Sequence, residues 1–355
     1  MSVNTTTRTR DWSAFAQSLT LAAMSLGFAL VQLDVTVVNT ALSSIGRSLG
    51  GDVTELQWVV SCYTTAFAAF ILTAGALGDR LGAKRIFMSG FAIFTTASVG
   101  CALAPGAIWL IAARTIQGVG AAILVPNSLA LLNHAYPDAT QRGRAVGIWA
   151  GGASIALTAG PLAGGGLIAL IGWRSIFLVN LPIGLIGLWL TRRYATETMP
   201  SPGRQLDLRG QIAAVAALAL LAATLIEAGA FGWDRGWMAG GFAAFAIAAV
   251  TFVVLEARAP QPMLPLSLFS NQLFSVSSVI GLFANAAFYG IIFVLSLYFQ
   301  QVDHLSPFNT GLAFLPMMAV VLPANLTAPR IAEHIGAPPT IAIGATIAAL
   351  GCAGL

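Results

Sequence analysis

Leu110-Ile-Ala-Ala-Arg114-Thr-Ile-Gln117-Gly118-Val-Gly120-Ala-Ala-Ile-Leu-Val125 belongs to an apolar run over 107–132 that holds one guanidinium and no other charge. About 20 apolar residues cross a hydrocarbon core of about 30 Å, and a charge at its centre costs about 2.5–3.5 kcal/mol on insertion scales. The run therefore reads as a membrane helix whose arginine faces a partner inside the protein. Ten further apolar runs accompany it, at 13–40, 54–78, 86–104, 143–170, 174–194, 210–230, 237–257, 272–300, 308–330 and 338–355. The first is too long for a signal-peptide core and is kept as a helix.

Composition points the same way. The 355 residues are 57% hydrophobic and 8% charged, with mean hydropathy +0.83, whereas a soluble domain carries about 25% charged residues. Too few charges exist to coat a globule in water, so an ordinary soluble enzyme is excluded and an all-α polytopic membrane protein is expected. Cys62, Cys101 and Cys352 lie far apart in apolar stretches and read as small core residues. No basic run interleaved with aromatics offers a nucleic-acid face.

Alternate connections differ in charge. One side holds Arg8, Arg10, Arg80, Lys84, Arg85, Arg142, Arg144, Arg192, Arg193, Arg204, Arg209, Arg258 and Arg330; the other holds only Arg47, Arg174 and Arg235. The excess places the N-terminus in the cytoplasm. The longest polar connection contains Pro200 and Pro202, which divides the chain into a six-helix bundle over 1–194, a linker over 195–209, a helix pair over 210–257 and a three-helix block over 258–355.

Three ionisable residues stand out within the spans: Asp34, Arg114 and Glu227. If the first helix leaves the membrane near Thr40, Asp34 lies about 9 Å below the outer edge and Arg114 about 10 Å below it, at 1.5 Å per residue. An acid and a base at one depth can form a structural ion pair, or an acid whose proton occupancy changes with access. Glu227 sits near a helix end, where water can reach it. On the fifth run Gly147, Gly151, Ser154, Thr158, Pro161 and Gly165 recur at steps of three and four, a face that another backbone can approach closely. Gly160-Pro161 removes a backbone donor and places a flexible point there. Between the second and third runs, Gly75-Ala-Leu-Gly-Asp79-Arg80-Leu-Gly82-Ala-Lys84-Arg85 combines turn glycines with bases and with Asp79, which can cap a helix start.

That last segment resembles the helix 2–3 signature of the major facilitator superfamily, with Ala83 in place of its first base. Leu110-xxx-Arg114-xx-Gln117-Gly118-x-Gly120 is similar to the helix 4 signature of the proton-coupled exporters. Gly160-Pro161-Leu-Ala-Gly164-Gly165 resembles the antiporter signature of helix 5, with Ala156 replacing its leading glycine. Leu33-Asp34-Val-Thr-Val-Val-Asn39-Thr-Ala-Leu42 is similar to the helix 1 signature of the fourteen-helix drug/proton antiporters. Leu225-Ile-Glu227 with Gly232-Trp233, and the segment 283–300, resemble the methylenomycin-resistance type.

The resemblance implies a major facilitator fold of six, two and six helices. Six, two and three are present, about 11 of 14, so a truncated chain is expected. It implies efflux of a small hydrophobic or amphipathic drug or antibiotic by alternating access, in the inner membrane, by a monomer driven by the proton gradient with no cofactor and no metal. Asp34 and Arg114 would be the coupling pair, and Gly75, Asp79, Arg80, Gly82 and Lys84 the cytoplasmic gate. Gln32, Thr36, Asn39, Gln117, Asn285 and Tyr289 are cavity candidates. Pro329 to Gly336 could be a decayed copy of the gate loop, with Glu333 standing for Asp79. A solute importer on the same scaffold and a non-functional truncation are the alternatives. A membrane-embedded enzyme finds no support, since His134, His304 and His334 fall in expected loops and no catalytic motif occurs.

Overall fold

A capping carboxylate, amide or hydroxyl opens five of the helices. Asp52, Asp138, Asp207, Asn271 and Ser306 each accept a hydrogen bond from a backbone N–H of the first turn that follows, offsetting donors a helix leaves unpaired. The computed structural model describes residues 5–50, 52–201, 207–233 and 236–353, and every regular element among them is a helix. Pro202, Arg204 and Arg235, and the side chains of Arg8, Arg10, Glu333 and Cys352, lie outside the described residues.

The first six spans are α1 (Thr5–Leu49), α2 (Val53–Leu81), α3 (Ala83–Ala102), α4 (Ala107–Ala135), α5 (Ala139–Leu170) and the pair α6 (Ser175–Leu178) with α7 (Asn180–Tyr194). After them come α8 (Leu208–Phe231), α9 (Gly236–Arg258), α10 (Gln272–Gln301), α11 (Pro307–Ala313), α12 (Leu315–Ile335) and α13 (Ala337–Ala353). Among the described residues, nine segments are long and apolar enough to span a bilayer, Ser175–Tyr194 counting as one. The expected runs 308–330 and 338–355 become α11–α12, broken at Phe314, and the 17-residue α13.

One boundary is corrected. The first helix does not end near Thr40 but continues to Leu49, with Thr40, Leu42 and Ile45 all 2% exposed or less. The stretch beyond the expected run 13–40 packs into an apolar cluster with Leu56, Leu110 and Phe177.

Backbone proximity in the first six spans depends on glycine. A methyl group at Gly120 would meet the Phe94 backbone at 2.7 Å, and one at Gly118 would overlap the Tyr63 carbonyl. Gly118-Val-Gly120 is therefore a packing device that lets α4 lie against α2 and α3. Around it sits an apolar cluster that includes Met24, Phe87, Phe91, Phe94 and Leu124.

The α8–α9 hairpin leans on α2, where Gln211 Nε2 donates to the Ala69 carbonyl at 3.0 Å and the Thr73 hydroxyl meets the Gln211 amide. Helix α10 joins the first six spans through polar contacts to α1. Ser296 Oγ donates to Asn39 O at 2.8 Å, and Gln300 Nε2 donates to Thr40 O at 3.1 Å. Ile247, Val250, Leu282 and Phe283, each more than 60% exposed, turn outward from α9 and α10 as lipid-facing residues do.

Candidate functional site

Asp34 on α1 and Arg114 on α4 are 2% and 1% exposed, and Arg114 Nη1 donates to Asp34 Oδ2 at 2.5 Å. Charges this deeply buried persist only when paired and when their remaining lone pairs and protons are satisfied. Here they are. Gln117, one turn along α4, accepts from Arg114 Nη1 at 2.8 Å and donates to Asp34 Oδ1 at 2.9 Å. Asn180, at the start of α7, donates to the same Oδ1 at 3.1 Å. Ser98 Oγ on α3 accepts from both amides, at 2.8 Å from Gln117 and 3.2 Å from Asn180. Arg114 Nε donates to the Val59 carbonyl at 3.2 Å, and the guanidinium lies over the Tyr63 ring, 4.1 Å from its centroid. Five helices, α1 to α4 and α7, thus meet at one ion pair. Removing the charge on either partner leaves the other buried without a counter-ion.

Beside this network lies a cavity of about 470 Å³, a size suited to a small organic molecule. Gln32, Asn39 and Tyr289 line it, along with Gln57, Ser61, Tyr63 and Thr64 and an apolar remainder that includes Phe67, Leu225 and Phe293. Among the described residues none of those lining it is charged. Asp34 and Gln117 are absent from its wall; both belong to the network behind it.

Three cavity candidates are corrected: Gln117, held in the network behind the wall, and Thr36 and Asn285. Thr36 is fully buried, its hydroxyl bonded to the Gln32 and Leu33 carbonyls of its own helix, and it faces Gly160 on α5. Helical spacing from Gln32 suggested the cavity, but a full turn displaced by close α1–α5 packing points elsewhere. Asn285 is exposed and donates to the Gly281 carbonyl at 2.8 Å, one turn from Tyr289 but outside the cavity.

The glycine face of α5 divides in two. Gly160 and Gly164 accept Thr36 and Val37 of α1, while Gly165 lies against the Pro307–Phe308 backbone. Reciprocally, a methyl group at Gly311 on α11 would meet the Pro161 carbonyl at 2.5 Å. Among the described residues nothing stands within 4 Å of the Cβ positions of Gly147 and Gly151, and the close approaches fall toward the C-terminal end of the face. Helix α5 also runs unbroken through Pro161.

At the opposite end, the loop expectation changes. Helix α2 extends to Leu81, which leaves Asp79 inside its last turns instead of at the start of α3. The cap of α3 comes from the segment after α7. Glu197 accepts from the Lys84 and Arg85 backbone N–H groups at 2.8 and 3.2 Å, and Thr198 Oγ1 accepts from Ala83 N at 2.8 Å. Lys84 Nζ donates to Ala195 O at 2.6 Å, and Ser201 N donates to Asp79 O at 2.7 Å. Gly75 meets the Pro126 side chain, Arg80 is exposed, and Gly82 turns the chain with φ of +99°.

Sequence reading thus missed Ser98, Tyr63, Asn180 and Glu197. It also missed Glu256, a 2% exposed acid near the end of α9 whose Oε2 accepts from Leu264 N at 3.0 Å. Glu227 is half-buried in the last turns of α8.

Known proteins resemble this chain in sequence and in fold. The methylenomycin A resistance protein of Streptomyces coelicolor is 39% identical over 314 residues, covering 88% of this chain and 66% of that protein. The multidrug resistance protein Stp of Mycobacterium tuberculosis is 37% identical over 335 residues, covering 94% and 62%. The chain therefore spans about two thirds of the length of these curated relatives. Tetrameric PepTSo2, at 18% identity, shares the fold with a TM-score of 0.61 over 94% of this chain and 75% of that one. Residues 24–355 match the family model of the Major Facilitator Superfamily, and the chain belongs to that family of multi-pass membrane transporters.

Proposed function

We propose that this chain exports a small hydrophobic or amphipathic drug or antibiotic in exchange for protons, by alternating access in the inner membrane with its N-terminus in the cytoplasm. The 2.5 Å contact of Asp34 with Arg114, in a network that reaches five helices, is the observation that carries the reading. A proton arriving on Asp34 cancels the charge that balances Arg114. The guanidinium, Gln117 and Asn180 must then find new partners, and the helices bearing them shift. Gly160 and Gly164 seat α5 directly on the next turn of α1, and α5 carries that displacement to α11 through Gly165 and Gly311. The relatives named for resistance to methylenomycin A and to multiple drugs support the direction of transport. In this proposal the working units are the bundle over 1–194, the linker over 195–209, the helix pair over 210–257 and the helices from 258 onward, acting as a monomer.

The test is transport by the full chain in proteoliposomes with an imposed pH gradient, using ethidium, chloramphenicol and Nile red as probes. Movement of at least one probe against the proton flow is expected, and Asp34→Asn should abolish the gradient dependence while the protein still inserts. Retained gradient-driven efflux by Asp34→Asn rejects its role. Movement in the same direction as the protons makes the protein an importer.

A further inference from the structure

Two carboxylates meet where the start of α8 lies against the end of α9. Asp207 caps α8, its Oδ1 accepting from Gly210 N at 2.8 Å. Glu256, 2% exposed in the last turn of α9, accepts from Leu264 N at 3.0 Å through Oε2. The remaining oxygen of each, Asp207 Oδ2 and Glu256 Oε1, is buried and has no hydrogen-bond partner. A methyl group at Gly210 would lie 2.5 Å from the first and 2.8 Å from the second. The two oxygens thus stand side by side over a residue that has no side chain.

Two negative charges so placed, without water or a counter-ion, repel each other and cannot both persist. Among the described residues neither acid forms an ion pair. Arg209 and Arg258, the bases nearest to them along the chain, are exposed and line an adjoining cavity with Asp207, from which Glu256 is absent. The crossing over 259–265 holds no ionisable residue. Neither does the part of α2 over 69–78, which meets this region at Gln211 and Met263. A metal ion or a water would need accessible surface that these two oxygens lack. A proton needs none.

We propose that Asp207 and Glu256 form a proton-binding site, with one proton carried on Glu256 Oε1 and directed at Asp207 Oδ2. Helix polarity decides which acid carries it. Asp207 stands at the start of α8, where unpaired N–H groups favour an anion, and Glu256 at the end of α9, where carbonyls disfavour one. With the proton in place every oxygen of the pair has a partner: Oδ1 keeps Gly210 N, Oε2 keeps Leu264 N, and the other two bond to each other. Next to Leu264, Met263 Sδ lies 3.0 Å from Thr73 Oγ1 of α2. The site therefore fastens the crossing from the helix pair to α10, on helices that contribute nothing to the Asp34–Arg114 network. Losing the proton sets two like charges against each other and loosens that crossing.

The experiment is infrared difference spectroscopy of the full chain in nanodiscs at about pH 7, where an ordinary glutamate is ionised. Subtracting the spectrum of Glu256→Gln from that of the unmutated chain should leave the carbonyl band of a protonated carboxylic acid. The variant keeps both bonds, its amide N–H directed at Asp207 and its carbonyl at Leu264 N. A difference that contains only ionised carboxylate overturns the proposal. If Glu256→Gln does not fold, Glu227→Gln decides the matter, since it silences the half-buried glutamate of α8. Produced with glutamate isotope-labelled at the side-chain carboxyl carbon, it should show an acid band that moves with the label, and no such movement overturns the proposal. Thermal unfolding in detergent gives a second readout. The folded chain holds a proton that the unfolded chain releases, so stability should fall as pH rises from about 6 to about 9. Glu256→Gln should remove part of that fall, and parallel pH curves for the two chains overturn the proposal.

Discussion

Two carboxylates in this protein each meet an arginine, and they do so in opposite surroundings. Asp34 and Arg114 have side chains 1% exposed and touch at 2.5 Å. Glu197 and Arg85 have side chains 31% and 81% exposed and stand 3.8 Å apart. Asp34 is held entirely by side chains from other helices, whereas Glu197 binds chiefly backbone N–H groups at the start of α3. The contrast separates pairing from burial. In the interior each charge depends on the other because water cannot replace it; at the exposed loop water can, and the arginine becomes nearly dispensable.

The largest effect should come from breaking the interior pair on one side. Arg114→Met leaves the Asp34 carboxylate buried with only amide donors and should cost about 3–5 kcal/mol, read as a loss of thermal stability in detergent. Replacing both partners, Asp34→Leu with Arg114→Met, should recover most of that stability while transport stays lost, since an apolar pair needs no counter-ion. A single-variant loss below about 1 kcal/mol would place the interior pair in the same class as a surface bridge and end the contrast.

Next in size is the packing that holds α1 in place beside its acid. A methyl group at Gly160 would overlap the Thr36 hydroxyl and lie 2.8 Å from Thr36 Cβ. Gly160→Ala should therefore destabilise the solubilised protein by about 1–3 kcal/mol, as overpacking does. Thr36→Ala in the same chain should return part of it by removing the overlapping oxygen. If the second change restores nothing, the α1–α5 contact is looser than the glycine suggests, and the network is not braced from that side.

How much of this was legible depends on how costly each residue is to misplace. Asp34 and Arg114 could be read because an ionisable group in an apolar run is too costly to keep without a partner. Ser98 and Asn180 could not, since an uncharged polar residue in a membrane helix is cheap and common. Tyr63 has the look of any buried aromatic; its place shows only in the guanidinium that lies over its ring. The first apolar run closed at Thr40, yet α1 continues beyond it, and α10 meets it at Asn39 and Thr40 from Ser296 and Gln300. Asp79 read as a cap from its place before a helix, but three more helical residues of α2 moved the boundary. Glu197 sat in a polar linker with no periodicity to betray a partner more than a hundred residues upstream.

The smallest effects test that linker. Glu197→Ala removes the acceptor for two N–H groups at the start of α3 and should cost about 1 kcal/mol, the usual value of a helix cap. Arg85→Ala removes only the exposed partner and should cost less than about 0.5 kcal/mol. Salt distinguishes the two further. At 1 M the Debye length falls to about 3 Å, so whatever Arg85 contributes across 3.8 Å should vanish, while the Glu197 effect, carried by bonds of 2.8 and 3.2 Å to the backbone, should persist. Measured in parallel by thermal unfolding, an Arg85→Ala loss equal to that of Glu197→Ala would mean the surface carboxylate also works through its ion pair. Capping would then no longer distinguish it from Asp34, and depth alone would separate the two sites.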